Sequence, residues 1–204
     1  MLTLSNKIVF RYLLIAAGLA CAAYAQAPGA SGAAGASGPA TSPIVTNPTY
    51  VTINLEIAVD RPAAEVWKRV GKYCDIGEWL RVNCTITSGN GEVGTVRSIG
   101  GEVLVGKTDL SYTYTQTPRA GRPYNLYHGT VEAKPVTATT SKIVYTLMYD
   151  NSMLADDAAR DRDKAQRTTQ FTQAIQNMKI LAEGGTLPPA PARGGGRGGS
   201  GRGN

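Results

Sequence analysis

From Val82 to Asp150 the chain alternates apolar and polar residues with the period of a strand and shows no helical pattern. A short helix pair precedes this stretch and one long helix follows it. Strands joined by short turns form an antiparallel meander, and a curved meander covered by a single late helix encloses space. The pattern therefore predicts an α+β domain built as a container.

The elements are well marked. Tyr50 to Val59 alternates and is rich in β-branched residues, which predicts a first strand. Asp60 offers a helix cap, Pro62 suits a first turn, and Ala63, Val66, Trp67 and Val70 share one helical face, with Gly71 as the stop. Tyr73 to Trp79 reads as a second, shorter helix. Further strands are expected at Asn83 to Ser88, Glu92 to Ile99, Glu102 to Lys107, Asp109 to Thr117, Tyr124 to Lys134 and Lys142 to Tyr149. The turns between them include Ser88–Gly91, Gly100–Gly101, Thr108–Asp109, Pro118–Pro123 and Pro135–Ser141. From Ser152 to Glu183 the period changes, and Phe171, Ala174, Ile175, Met178, Leu181 and Ala182 form one stripe. The charged half of this helix, Asp156 to Arg167, is expected to project or be solvated, and the C-terminal half to pack.

Both ends differ in kind from this middle. Residues 1–25 read as an export signal: Lys7 and Arg11 supply charge, Tyr12 to Ala22 is apolar, and Ala23-Tyr24-Ala25 supplies a cleavage site. The apolar run falls short of a bilayer-spanning helix of ~20 residues, so no stable membrane insertion is expected after cleavage. Gly18 stands where a lipid-attachment signal at Cys21 would carry a large aliphatic residue. Residues 26–48, almost all Ala, Gly, Ser, Pro and Thr, form a tether, and 184–204 a Pro- and Arg-Gly-rich tail; neither can bury enough apolar surface to offset chain entropy. The ordered domain is thus 49–183. Export points to the periplasm, or to the extracellular space.

The net charge of +6 is misleading, because five of the 21 basic residues lie in the signal and tail, leaving 16 against 15 acidic ones. That near-neutral balance argues against nucleic acid as a partner. With Cys21 removed, Cys74 and Cys84 remain, ten positions apart in an oxidising compartment. A disulfide between them is expected, the alternative being two buried free thiols. No CxxC spacing occurs and the chain holds one histidine, so neither metal nor cofactor is expected.

Three strings carry a resemblance: Val59-Asp-Arg-Pro-Ala-Ala-Glu-Val-Trp67, Gly77-Glu-Trp79-Leu80, and Gly91-Glu-Val-Gly-Thr-Val-Arg97. In order, spacing and position before a terminal helix they resemble the START/Bet v 1-like (SRPBCC) superfamily, in its polyketide cyclase/dehydrase-like branch, over about Thr49 to Glu183. The resemblance implies a helix-grip fold: a seven-stranded antiparallel sheet wrapped around a long C-terminal helix, two short helices after strand 1, and a cavity between sheet and helix. That superfamily includes lipid carriers, plant hormone receptors and aromatic polyketide cyclases, so the fold is better specified than the activity. The tight Gly100–Gly101 turn departs from the longer gating loop of hormone-receptor relatives and argues against a lid there.

Strand alternation proposes the cavity walls. Ile143, Tyr145, Leu147 and Tyr149 share a face, as do Leu110, Tyr112 and Tyr114; Tyr127 lies inward with Gly129. Six of the ten tyrosines fall between Tyr112 and Tyr149, which suits a hydrophobic ligand bearing a few oxygens, although tyrosine is also simply a good strand former. By the resemblance, Arg97 and Glu102 face the interior and, with Tyr127, form a polar anchor; the alternative is a surface ion pair across a hairpin. Phe171 and Ala174 supply the helix wall, and Gln170, with Gln166, either an amide contact or helix surface. Trp67 and Trp79 read as core, with Trp79 also a candidate for the cavity mouth. His128 points outward, and the chain lacks a Ser/His/Asp or Cys/His set and a phosphate-binding glycine loop. No catalytic residue is assigned. The function these features predict is binding of a small hydrophobic or amphipathic ligand, a lipid or an aromatic metabolite. The alternatives are a cyclase/dehydratase-like enzyme working through Arg97, Glu102 and Tyr127, and an envelope interaction protein whose cavity is filled by its own side chains.

Overall fold

A computed structural model describes residues 47–118 and 124–189. The expected signal, most of the tether, the tail from residue 190 and positions 119–123 of the Pro118–Pro123 turn lie outside the described residues. Among the described residues no helix is long and apolar enough to cross a membrane.

The elements run β1 (Tyr50–Val59), α1 (Ala63–Val70), α2 (Ile76–Trp79), β2 (Ile86–Ser88), β3 (Val96–Arg97), β4 (Glu102–Thr108), β5 (Ser111–Gln116), β6 (Tyr127–Pro135), β7 (Ser141–Asp150) and α3 (Asp157–Ala182). All seven strands join one antiparallel sheet in the order β1-β7-β6-β5-β4-β3-β2. Only β1 leaves chain order: it crosses to pair with β7 along its whole length, Tyr50 facing Asp150 and Val59 facing Ser141. α3 packs over β1 and β7 and against α1 and α2. This is the helix-grip architecture.

Several boundaries differ from expectation for local reasons. β3 is two residues long because the chain turns at Glu92–Thr95, where the Thr95 N–H donates to the Glu92 carbonyl at 2.9 Å and Gly94 takes φ +96°. β6 starts at Tyr127 and not at Tyr124. α1 begins after Pro62, whose carbonyl takes the Glu65 and Val66 N–H groups, and Asp60 makes no cap; its own N–H donates to Glu183 at 2.9 Å. α3 starts at Asp157 because the Asp156 carboxylate accepts the Ala159 N–H at 2.7 Å.

The core collects the inward residues of the sheet, Ile53, Val131, Ile143, Tyr145 and Leu147 among them, with Val66, Ile76 and Trp79 from the short helices and Phe171, Ile175 and Met178 from α3. Cys74 and Cys84 are bridged, their Cα atoms 5.5 Å apart, tying the start of α2 to the chain entering β2. Asn177 of α3 donates to the Trp79 carbonyl at 2.8 Å and fixes α2 from the other side.

Candidate functional site

The β3–β4 turn brings Arg97 and Glu102 face to face across the ladder. Both are buried, with Arg97 fully enclosed. Arg97 Nε donates to Glu102 Oε2 at 2.7 Å, its Nη2 lies 2.6 Å from the same oxygen, and its Nη1 donates to the Tyr73 carbonyl at 2.6 Å. Gln116 Nε2 donates to Glu102 Oε1 at 3.0 Å. The guanidinium also stacks within 4.3 Å of the Tyr73 ring centre and 4.6 Å of that of Tyr114. Burial opposes its charge, but Tyr112 and Glu102 alongside more than offset this and shift its pKa upward. The surface-pair alternative is thereby excluded: this is a buried, multiply bonded pair. Such a pair adds little net stability, but removal of one partner strands a buried charge.

The Tyr127 hydroxyl bonds in a second cluster beside this one. Its hydroxyl accepts from Arg167 Nη1 of α3 at 3.2 Å, and Arg167 lies within 4.3 Å of the Tyr124 ring centre and 4.9 Å of that of Tyr149. Asp163 completes the group, accepting from Arg167 Nε at 3.1 Å and from the Tyr124 hydroxyl at 2.6 Å. Burial pushes the Asp163 carboxyl up, but these hydrogen bonds outweigh it and its pKa falls below the usual carboxylate range. The charged half of α3, expected to be solvated, thus folds two of its charges back onto the tyrosines. Asp163 and Arg167 sit four positions apart and so share one helix face, which is the signal available in the sequence.

The remaining tyrosines pack on one another. Tyr114 and Tyr145 share a hydroxyl–hydroxyl bond of 2.5 Å, and the Tyr145 and Phe171 rings are 4.8 Å apart. Tyr112, Tyr114, Tyr127, Tyr145 and Tyr149 are all at most 6% exposed, and Tyr112 meets the rings of Trp67, Tyr73 and Tyr114. His128 lies on the opposite face at 3.3 Å from the Thr115 hydroxyl, as alternation predicted, and burial lowers its pKa.

Open space is found beside this interior. A cleft of about 360 Å³ lies between the end of α1 and the β4–β5 hairpin. Trp67, Leu104, Tyr73 and Tyr112 form its apolar surface; Lys68, Lys72, Lys107, Thr108 and Ser111 form its polar edge, with Gly71 and Gly91 completing it. Trp67 is half-buried here and not enclosed in the core as expected. Gly71 permits this, since a Cβ there would come within 2.3 Å of the Trp67 ring. Lys107 arrives through a bulge: Leu104 faces Tyr114, but the register then shifts so that Lys107, and not Gly106, faces Tyr112. A second cleft of about 360 Å³ runs between α2 and α3, bordered by Trp79, Leu80, Arg81, Gln170, Gln173, Ala174, Asn177 and the Pro188–Pro189 segment. Arg81 donates to the Pro188 carbonyl and holds that segment against it.

Of the residues predicted to touch ligand, Tyr112 borders the first cleft and Gln170 and Ala174 the second. Arg97 and Glu102 are joined as foreseen, and Phe171 joins the tyrosine stack. Trp67, Lys68, Lys72 and Lys107 were not foreseen as a group. Among the described residues no three His, Cys, Asp or Glu side chains are placed to hold a metal ion.

No protein-family model and no curated protein matches the sequence. Solved structures do match in three dimensions. A Thermobifida fusca protein determined by NMR is 20% identical, with a TM-score of 0.54 over 67% of this chain and 97% of its own. Norcoclaurine synthase from Thalictrum flavum is 13% identical, with a TM-score of 0.53 over 70% and 99%. The Zhui aromatase/cyclase from a Streptomyces species is 16% identical, with a TM-score of 0.52 over 68% and 100%. Likeness at these identities is likeness of fold, and that fold is the helix grip that the resemblance of the sequence motifs implied.

Proposed function

We propose that this chain is an extracytoplasmic binding protein for a small, mostly hydrophobic ligand, and that the ligand occupies the cleft between α1 and the β4–β5 hairpin. The observation that carries the reading is the cleft itself: about 360 Å³ of concave space with a Trp67, Leu104 and Tyr112 floor, where the equal-sized cleft between α2 and α3 is bordered mainly by polar side chains and the Pro188–Pro189 segment. That volume lies at the lower end of the ~300–1,000 Å³ range of small-molecule sites, which suits one ring system or a short acyl chain. An aromatic floor with hydroxyls at its edge favours an apolar body over a polar one. The Cys74–Cys84 bridge and the N-terminal signal pattern support export.

The alternative as a cyclase-like enzyme has less support. A reacting chain would have to reach Arg97 and Glu102, yet these are enclosed and already bonded to each other, to Gln116 and to a backbone carbonyl. The packing of Tyr145 on Phe171, with the Tyr114 hydroxyl bonded to that of Tyr145, favours a ligand seated beside the interior over one beneath α3.

The test uses phenylnaphthylamine, an uncharged apolar fluorophore, with the mature chain. One-to-one saturable binding that quenches the emission of half-buried Trp67 is expected. Ser111→Trp, which fills the cleft from its edge, removes it. Absence of saturable binding, or binding indifferent to Ser111→Trp, would sink the assignment.

A further inference from the structure

The cleft between α1 and the β4–β5 hairpin is apolar below and positive above. Lys68, in the last turn of α1, and Lys72, just past its Gly71 cap, are both exposed and both border the cleft; among the described residues neither ammonium forms an ion pair, although the Asp75 carboxylate accepts the Lys72 backbone N–H at 2.8 Å. The adjacent Arg69 is different: Glu78 of α2 takes it up at 2.7 Å, and Arg69 does not border the cleft. From the opposite wall the β4 bulge delivers Lys107. Its present partner is Glu92 at 2.9 Å, a side chain 68% exposed, so that pairing is solvent-screened and readily exchanged. Thr108 and Ser111 add hydroxyls beside it, bonded to one another at 2.7 Å.

Three lysines bordering one cleft give its rim a positive potential, which an anion seated among them would satisfy. Long lysine stems can also lie along the aromatic floor while their heads reach a polar group at the rim. We infer that the cleft takes an anionic amphiphile, a ring system or short acyl chain bearing one carboxylate, sulfonate or phosphate. Its apolar body rests on Trp67, Leu104 and Tyr112, and its head lies among Lys68, Lys72 and Lys107. This rests on the cleft being the ligand site and adds to it the charge and orientation of the ligand. The buried Arg97 plays no part in the selection, because its guanidinium is enclosed and paired with Glu102 inside.

The experiment compares anilinonaphthalene sulfonate with phenylnaphthylamine, the same ring system without the sulfonate, by fluorescence titration of the mature chain. The sulfonate is expected to bind about tenfold more tightly at low salt, and the advantage to shrink as ionic strength rises. Lys68→Gln with Lys72→Gln is expected to cut the ratio of sulfonate to neutral-probe affinity from about tenfold to within about twofold. Both lysines are exposed, so the double variant keeps its fold, which circular dichroism checks. Equal affinity of the two probes, or a charge preference that survives the double substitution, would overturn the inference and leave the apolar site standing. Failure of both probes to quench Trp67 would overturn the site and the inference together.

Discussion

Gly129 lies in the middle of β6, between Tyr114 on one neighbouring strand and Leu147 on the other. A Cβ there would fall 2.2 Å from the Tyr114 ring, and that ring cannot retreat because its hydroxyl is tied to Tyr145. Gly129→Ala is therefore expected to cost roughly 1–3 kcal/mol of stability, as overpacking of a filled core does. Chemical denaturation should show a lowered midpoint with an unchanged slope. An unshifted midpoint would mean that Tyr114 has room to move, and so that the interior is looser than its contacts indicate. Alternation alone put Gly129 inward next to Tyr127. Which ring covers it depends on the β5–β6 register, which alternation alone does not announce. That Arg97 and Glu102 straddle the Gly100–Gly101 turn was legible locally, but that the pair faces inward was implied only by the family resemblance, a surface pair being the alternative. The Tyr127 hydroxyl bonds farther off in sequence: Arg167, forty positions away on α3, donates to it.

Among elements, the β4 bulge and the disulfide are the informative cases. The bulge between Leu104 and Gly106 turns Lys107 toward the cleft, against strict alternation. Nothing in the Glu102–Thr108 string beyond Gly106 marks it. The disulfide closes a short loop around α2, a four-residue helix too short to be stable alone. Replacing Cys74→Ser and Cys84→Ser together should lower stability by about 3 kcal/mol in the chain-entropy account, and a reducing agent should do the same to the native chain. Calorimetry under both conditions checks this. If the native chain melts at the same temperature with and without reductant, the bridge adds nothing to stability. Helix boundaries were legible to within a few residues. The role of the charged half of α3 was not, because a charged helical face reads alike whether it meets water or a cluster of tyrosines.

For the whole molecule, the tyrosine-rich interior sets the pH behaviour. Burial pushes Tyr73, Tyr112, Tyr114, Tyr127, Tyr145 and Tyr149 above the usual phenol range. In the unfolded chain these groups lose their protons near pH ~10, while the folded chain keeps them. The unfolded state then binds fewer protons, so the stability they contribute is complete below that pH and is lost as the pH rises beyond it. Alkaline titration should accordingly release tyrosinate absorbance and far-ultraviolet ellipticity in one step. Gradual tyrosine ionisation with the fold intact would show that these hydroxyls reach solvent. At the acid end, Asp163 contributes stability that is present above the usual carboxylate range and is lost as the pH falls through its lowered pKa.

The antiparallel meander, the closing helix and the inward set of tyrosines follow from periodicities and turn residues, which act over a few positions and are written locally, whereas the place of β1 beside β7 is a long-range pairing that no local pattern specifies. Where the space lies is not written locally either. Volume between layers depends on which side chains meet from distant segments: Tyr114 with Tyr145 and Phe171 with Tyr145 pack the face beneath α3, while Gly71, Trp67 and a displaced Lys107 leave a cleft beside it. Such encounters exist only once the sheet has curled and α3 has docked, because each is decided by packing among residues that no local pattern connects.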